Sequence, residues 1–236
     1  MAGPGRRGVR GYGMRRVSEA CQHGLVTVRE LETPHGPARA HLQTAEVPRA
    51  GLVLGHGAGG GVTARDLVAT ADAALAEGVN VALVEQPYRV AGRRAPAPAR
   101  QLDAAWIAVV EELASSELAG LPLIAGGRSL GARVACRTAG ATGAVAVLCL
   151  AFPLLPPPRR SARSAAPQSR LPELDAVEVP VLVVQGGSDR FGMPPPAKTR
   201  TVVEVPGDHS LRTDLEAVAA AVRGWLPGVV PVRAPR

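Results

Sequence analysis

At 236 residues the chain suits one sizeable α/β domain and is too short for two comfortable ones. Apolar residues make up 46% of it and aromatics only 3%, so the core must be built from Ala, Val and Leu. The net charge of +7 is confined to the ends: without the seven arginines of residues 1–16 and 231–236, 20 basic and 20 acidic residues remain, which gives no support to a basic groove for nucleic acid.

Residues 1–21 are expected to form a disordered basic tail, 22–228 the folded domain and 229–236 a second short tail. Met14 is an alternative start, since residues 1–13 carry no fold signal. Cys21, Cys136 and Cys149 have neither metal-ligand spacing nor an even framework. Cys136, on a predicted helix, and Cys149, in a buried-looking strand, suit small core positions. No apolar segment of signal-peptide type follows the N-terminal arginines. The longest apolar stretch, 144–158, is shorter than a membrane span and is broken by Pro153 and the Pro156-Pro157-Pro158 run. A soluble protein in a reducing, cytoplasmic setting is expected, with no membrane partner.

In chain order, residues 26–31 and 38–45 read as an antiparallel hairpin around Thr33-Pro34-His35-Gly36-Pro37. Residues 51–56 form a short apolar run opening into glycines, which suits a buried parallel strand. An amphipathic helix over 63–77 stops at Gly78. A strand at 79–84, a helix at 101–118 and a strand at 121–125 follow. The chain then passes through a glycine-rich turn into a helix at 130–138 and a strand at 144–152. Residues 153–178, rich in Pro, Arg and Ser, read as a loop with a short helix near 171–177. Strands at 181–185 and 201–205 and a helix at 213–226 complete the series. The alternation from residue 51 onward predicts an α/β fold with a doubly wound, mostly parallel sheet.

Serine is a poor nucleophile at neutral pH. It needs an adjacent base, a group that orients the base, and donors aimed at the oxyanion. The sequence supplies all four parts. Gly127-Arg128-Ser129-Leu130-Gly131 lies between a strand and a helix, where small residues two before and two after the serine relieve a crowded backbone. The glycine pattern alone would arise in roughly one such chain in ten, so its flanking elements carry the weight. His56-Gly57-Ala58-Gly59-Gly60 follows an earlier strand and can offer the Ala58 N–H beside that of Leu130. A phosphate loop fits less well, because no Gly-Lys-Ser/Thr follows and G-x-G-x-x-G spacing is absent. Asp189 stands just past a strand end, where it is either an Asx-turn residue or an acid reaching across to a histidine. His209 lies between the last strand and the last helix. His23, His35 and His41 fall on or near the N-terminal hairpin, and His56 suits a bracing role in its own loop. Asp208 is too close to His209 along the chain to orient it, and is expected to cap the following helix.

The chain order Ser129, Asp189, His209 resembles that of the α/β-hydrolases. Gly-Gly-Arg-Ser-Leu-Gly at 126–131 and Gly-Ser-Asp-Arg-Phe-Gly at 187–192 are similar to the small lidless branch of predicted hydrolases, close to the dienelactone-hydrolase-like proteins. The resemblance spans about residues 22–226. It implies an α/β-hydrolase fold with no cap domain and a Ser129–His209–Asp189 triad acting on a small-molecule ester or thioester. Ala58 and Leu130 would form the oxyanion hole, and no metal or organic cofactor would be required. Dienelactone hydrolases use a cysteine nucleophile, so Ser129 argues against that activity. Residues 153–178 are too few for a helical cap, which argues against long-chain lipid or haloalkane substrates. The other class of function is a non-catalytic interaction module on the same fold. Arg128 can anchor a carboxylate or phosphate near the site or pair with an acid beneath the turn, and the second is favoured because side chains at that elbow position point away from the pocket. Gln86-Pro87-Tyr88-Arg89, after a strand at the same sheet edge, is expected to line the pocket.

Overall fold

The structure is a computed structural model of the chain and describes residues 18–20, 25–157 and 168–230. Strands β1 (Ser18–Ala20), β2 (Leu25–Leu31) and β3 (Ala38–Gln43) are antiparallel, with Gly36 in the β2–β3 turn at φ 100°. β1 corrects the N-terminal boundary: the sheet begins inside the stretch expected to be a tail. A three-residue strand on the edge of β2 is held by backbone hydrogen bonds and leaves no apolar pattern to detect. Residues 1–17 and 231–236 of the expected tails, and Cys21, lie outside the described residues.

From residue 50 strands and helices alternate, except that no helix separates the last two strands. β4 (Ala50–Gly55), α1 (Arg65–Ala76), β5 (Val79–Glu85) and the single turn α2 (Pro87–Val90) precede α3 (Ala99–Ser115) and β6 (Leu123–Arg128). Then come α4 (Leu130–Thr138), β7 (Ala146–Leu150), α5 (Leu171–Asp175), β8 (Val181–Gly186), β9 (Arg200–Val205) and α6 (Leu215–Trp225). The described strands form one sheet in the order β1-β2-β3-β5-β4-β6-β7-β8-β9, parallel from β5 to β9. The doubly wound, mostly parallel sheet is the one expected.

Burial explains the arrangement. β4, β7 and β8 are buried at every position and need helices on both faces, whereas β3 alternates buried with half-buried residues. One face packs against α3, α4 and α5 around Trp106, Val109, Val134 and Phe152; the other packs against α1 and α6 around Leu67, Ala71, Val218 and Val222. Cys136 and Cys149 are buried as expected, their sulfurs 3.5 Å apart.

The chain leaves β4 toward β5 on one side, then crosses back to β6 on the other. Successive connections therefore diverge at the carboxyl ends of β4 and β6 and open a crevice there. Among the described residues, the β7–β8 connection carries α5 alone, and no helix is long and apolar enough to cross a membrane.

Candidate active site

Ser129 stands at the crevice, between the end of β6 and the start of α4, with φ 52° and ψ −102°. A side chain other than glycine in this region costs on the order of 1–3 kcal/mol and persists only where the surroundings impose it. They do so here. The Ser129 N–H donates to Leu150 O (2.9 Å) and its carbonyl accepts from Arg133 N (3.2 Å). The elbow glycines permit close approach to β4: a Cβ on Gly127 would lie 2.5 Å from Gly55 O, and one on Gly131 would lie 2.5 Å from the carbonyl carbon of Gly55.

The strained turn directs Ser129 toward His209. The serine hydroxyl donates to His209 Nε2 at 2.9 Å, and His209 Nδ1–H donates to Asp189 Oδ2 at 2.7 Å. Residues 80 and 20 positions apart in sequence thus meet in one hydrogen-bonded line. The Asp189 carboxylate is 1% exposed, so its charge requires compensation. Gln185 Nε2 donates to Oδ2 (2.8 Å) and Phe191 N–H donates to Oδ1 (2.9 Å). Gln185, fully buried, also donates to Phe152 O and Gly192 O and so fixes the loop carrying the acid. The Phe191 ring meets the imidazole edge-on, centroids 4.5 Å apart.

The loop bearing His209 rests directly on the end of β8. A Cβ on Gly186 would lie 2.5 Å from Asp208 O, which only glycine avoids. Arg128 ties this loop to the elbow: its Nη2 donates to His209 O (2.9 Å) and its Nε to Asp66 Oδ2 (2.9 Å) beneath. The expected partner acid is therefore Asp66, in the first turn of α1. Burial pushes the Asp66 carboxyl up, while the Arg128 guanidinium beside it pulls the other way. Asp208 departs from expectation. It accepts from the N–H and hydroxyl of Ser210 in a local turn, and α6 is capped by Asp214, which accepts from Ala217 N (2.9 Å). Leu211 at φ 51° delays the helix beyond the reach of Asp208.

The loop His56–Gly60 runs beside the elbow, close enough that a Cβ on Gly57 would lie 3.7 Å from Ser129 Cβ. Leu130 opens α4, so its N–H has no acceptor within the helix. The loop is clamped from the segment after β5. Gln86 N–H donates to His56 Nε2 (3.2 Å), which leaves Nδ1 to carry the proton donated to Gly57 O (2.8 Å). Burial lowers the His56 pKa, keeping that ring neutral. Tyr88 is buried and its hydroxyl donates to Ala58 O (3.0 Å), its ring meeting His56 edge-on. The same burial pushes the phenol up to about 12. Tyr88 thus braces the loop; the shallow cleft it borders with Gln86, Ala91 and Leu102 includes none of Ser129, Asp189 or His209.

The structure brings Ser129, Asp189 and His209 together, with the His56–Gly60 loop beside the elbow; Gln185, Phe191 and Asp66, which hold these groups in place, are not singled out by the sequence for that role. Gln185 had a signal, being a lone amide at the end of an otherwise apolar strand. Among the described residues, no cluster of three or more His, Cys, Asp or Glu side chains could hold a metal ion.

The chain matches the family model described as "Alpha/beta hydrolase domain" over residues 48–217. A search of curated protein sequences found no match. Among solved structures, an α/β serine hydrolase without a lid from Xanthomonas campestris superposes with TM-score 0.70 at 18% identity, covering 89% of this chain and 97% of that one. Est1E from Butyrivibrio proteoclasticus gives 0.67 at 17% identity over 85% and 98% of the two chains. A dienelactone hydrolase from Anabaena variabilis gives 0.68 at 15% identity over 89% and 100%. These likenesses share the fold traced above, and the match over residues 48–217 takes in Ser129, Asp189 and His209: the chain belongs to the alpha/beta hydrolase family.

Proposed function

We propose that the chain is a serine hydrolase that cleaves a small ester or thioester through an acyl-enzyme. The observation that carries this reading is the unbroken hydrogen-bonded line from Ser129 through His209 to Asp189. His209 takes the hydroxyl proton as Ser129 attacks the carbonyl carbon, then returns it to the leaving alcohol or thiol. Asp189 holds the tautomer whose Nε2 lone pair faces the serine and stabilises the imidazolium that forms. The N–H groups of Ala58 and Leu130 receive the oxyanion. Water then repeats the sequence on the acyl-enzyme, with His209 again as base. Residues 151–180, between β7 and β8, are too few for a helical cap, which supports a small substrate and an open site.

The test is labelling by a fluorophosphonate. Wild-type protein is expected to label, Ser129→Ala not at all, and His209→Ala slowly. Unlabelled wild type, or equal labelling of Ser129→Ala, overturns the proposal. On p-nitrophenyl acetate, Ser129→Ala is expected to lose at least about 10⁴-fold in kcat.

Removing the clamp on the oxyanion loop has a smaller effect. Tyr88→Phe orphans Ala58 O while keeping the ring in place. One neutral hydrogen bond is worth about 1 kcal/mol, so kcat is expected to fall about fivefold, with KM nearly constant. Steady-state kinetics on p-nitrophenyl acetate check this, and a rise in KM alone would contradict it.

A further inference from the structure

The arginines of this chain divide by location. Those on the hairpin, on α4 and at the far end of α6 hold carboxylates: Arg29 with Glu112 and Glu117, Arg39 with Glu30, Arg133 with Glu173, Arg137 with Asp103, and Arg223 with Glu216. The guanidinium groups of six others make neither hydrogen bond nor ion pair among the described residues: Arg65, Arg93, Arg94, Arg100, Arg190 and Arg212. All six are exposed. Arg65 opens α1, just after the His56–Gly60 loop. Arg93, Arg94 and Arg100 lie between the end of β5 and the first turn of α3, Arg190 follows Asp189, and Arg212 follows His209 by three residues. Every one is on a connection leaving the carboxyl end of a parallel strand, the edge where Ser129 sits. The four connections and the first helical turns that follow them carry five carboxylates in return, each already engaged: Asp66, bound to Arg128, Asp189, held by His209 and Gln185, Asp208, bound to Ser210, Asp214, the cap of α6, and Glu216, bound to Arg223.

Arg190 is joined to the Ser129–His209–Asp189 line through one aromatic ring. Its guanidinium carbon stands 4.8 Å from the centroid of the Phe191 ring, and that ring packs on the His209 imidazole. A cation stacked this way keeps its donors free for a ligand. In a body whose charges balance overall, unpaired guanidinium groups gathered on one edge create a local positive potential over the crevice.

We infer that the substrate is anionic: an ester or thioester carrying a carboxylate or phosphate apart from the scissile bond, drawn in by this arginine edge and bound by Arg190. The inference rests on the proposed nucleophilic role of Ser129 and adds the charge of the substrate.

The test compares the rate of Ser129 labelling by hexyl fluorophosphonate with the rates for the same reagent ending in a carboxylate or in a phosphate. At low ionic strength an anionic reagent is expected to label about tenfold faster than the neutral one, and the advantage should shrink steeply in 0.5 M salt, where screening is complete within a few ångströms. Whichever anionic reagent is faster identifies the group recognised. Arg190→Gln and the double variant Arg93→Gln/Arg94→Gln should each reduce the ratio of anionic to neutral rates at least threefold. Lys198→Gln, which removes an unpaired cation at the opposite edge of the sheet just before β9, should not change it. Equal rates for all three reagents at every salt concentration, or a ratio preserved in both arginine variants, overturns the inference while leaving the serine-hydrolase proposal intact. Labelling by none of the reagents overturns both.

Discussion

Asp189→Asn is expected to lower kcat by about 10⁴-fold, the loss seen when the acid of such a triad becomes an amide. The local geometry gives the reason. All three partners of Asp189 are donors: His209 Nδ1–H and Gln185 Nε2 to Oδ2, and Phe191 N–H to Oδ1. An asparagine must place its NH₂ at one of these positions. Toward Phe191 it opposes an N–H with an N–H. Toward His209 it donates to Nδ1 and drives the ring proton to Nε2, where the lone pair should face Ser129. In either orientation one buried donor loses its acceptor, so the variant is also expected to lose about 1–3 kcal/mol of stability. Hydrolysis of p-nitrophenyl acetate and thermal unfolding measure the two effects. A variant within tenfold of wild type would show that the acid does not set the tautomer.

The largest effect on stability is expected from Gly131→Ala. The new Cβ would sit 2.5 Å from the carbonyl carbon of Gly55, closer still to its oxygen, and 3.0 Å from its Cα. These are backbone atoms in the middle of the sheet, and Gly55 is itself confined, since a Cβ there would lie 3.1 Å from the Trp106 ring. No rotamer relieves the clash. α4 must lift away from β4, opening the α3–α4 side of the core, at a cost of about 3 kcal/mol or more. For a domain of this size that corresponds to a fall in Tm of roughly 6–12 °C. Thermal denaturation checks it, and an unchanged Tm would mean that α4 is free to shift.

These two sites also show where the sequence was legible. The helix predicted over 130–138 has those bounds in the structure, because the elbow fixes its start and the apolar spacing its face. The central strands were visible as unbroken apolar runs, and Ser129, Asp189 and His209 stood out because each follows a predicted strand. What escaped detection depends on contacts between distant segments. Asp66 is 62 residues from Arg128, and nothing in its own neighbourhood distinguishes it from any first-turn acid. Tyr88 was placed at the pocket, but its bond to Ala58, 30 residues earlier, depends on β4 and β5 lying side by side. Asp208 was misassigned for a local reason: the chain after it turns left-handed at Leu211 before α6 begins.

Arg128 also bears on how Ser129 and His209 move together. Its guanidinium spans the β6 elbow, the first turn of α1 and the loop carrying His209, so three separate connections are joined at one rigid planar group. A group shared in this way is expected to shift Ser129 and His209 as a unit rather than vary the distance between Ser129 Oγ and His209 Nε2. In the hydrolysis proposed above, the entropy of aligning them would then be surrendered during folding, before any substrate arrives, and need not be lost again at each turnover.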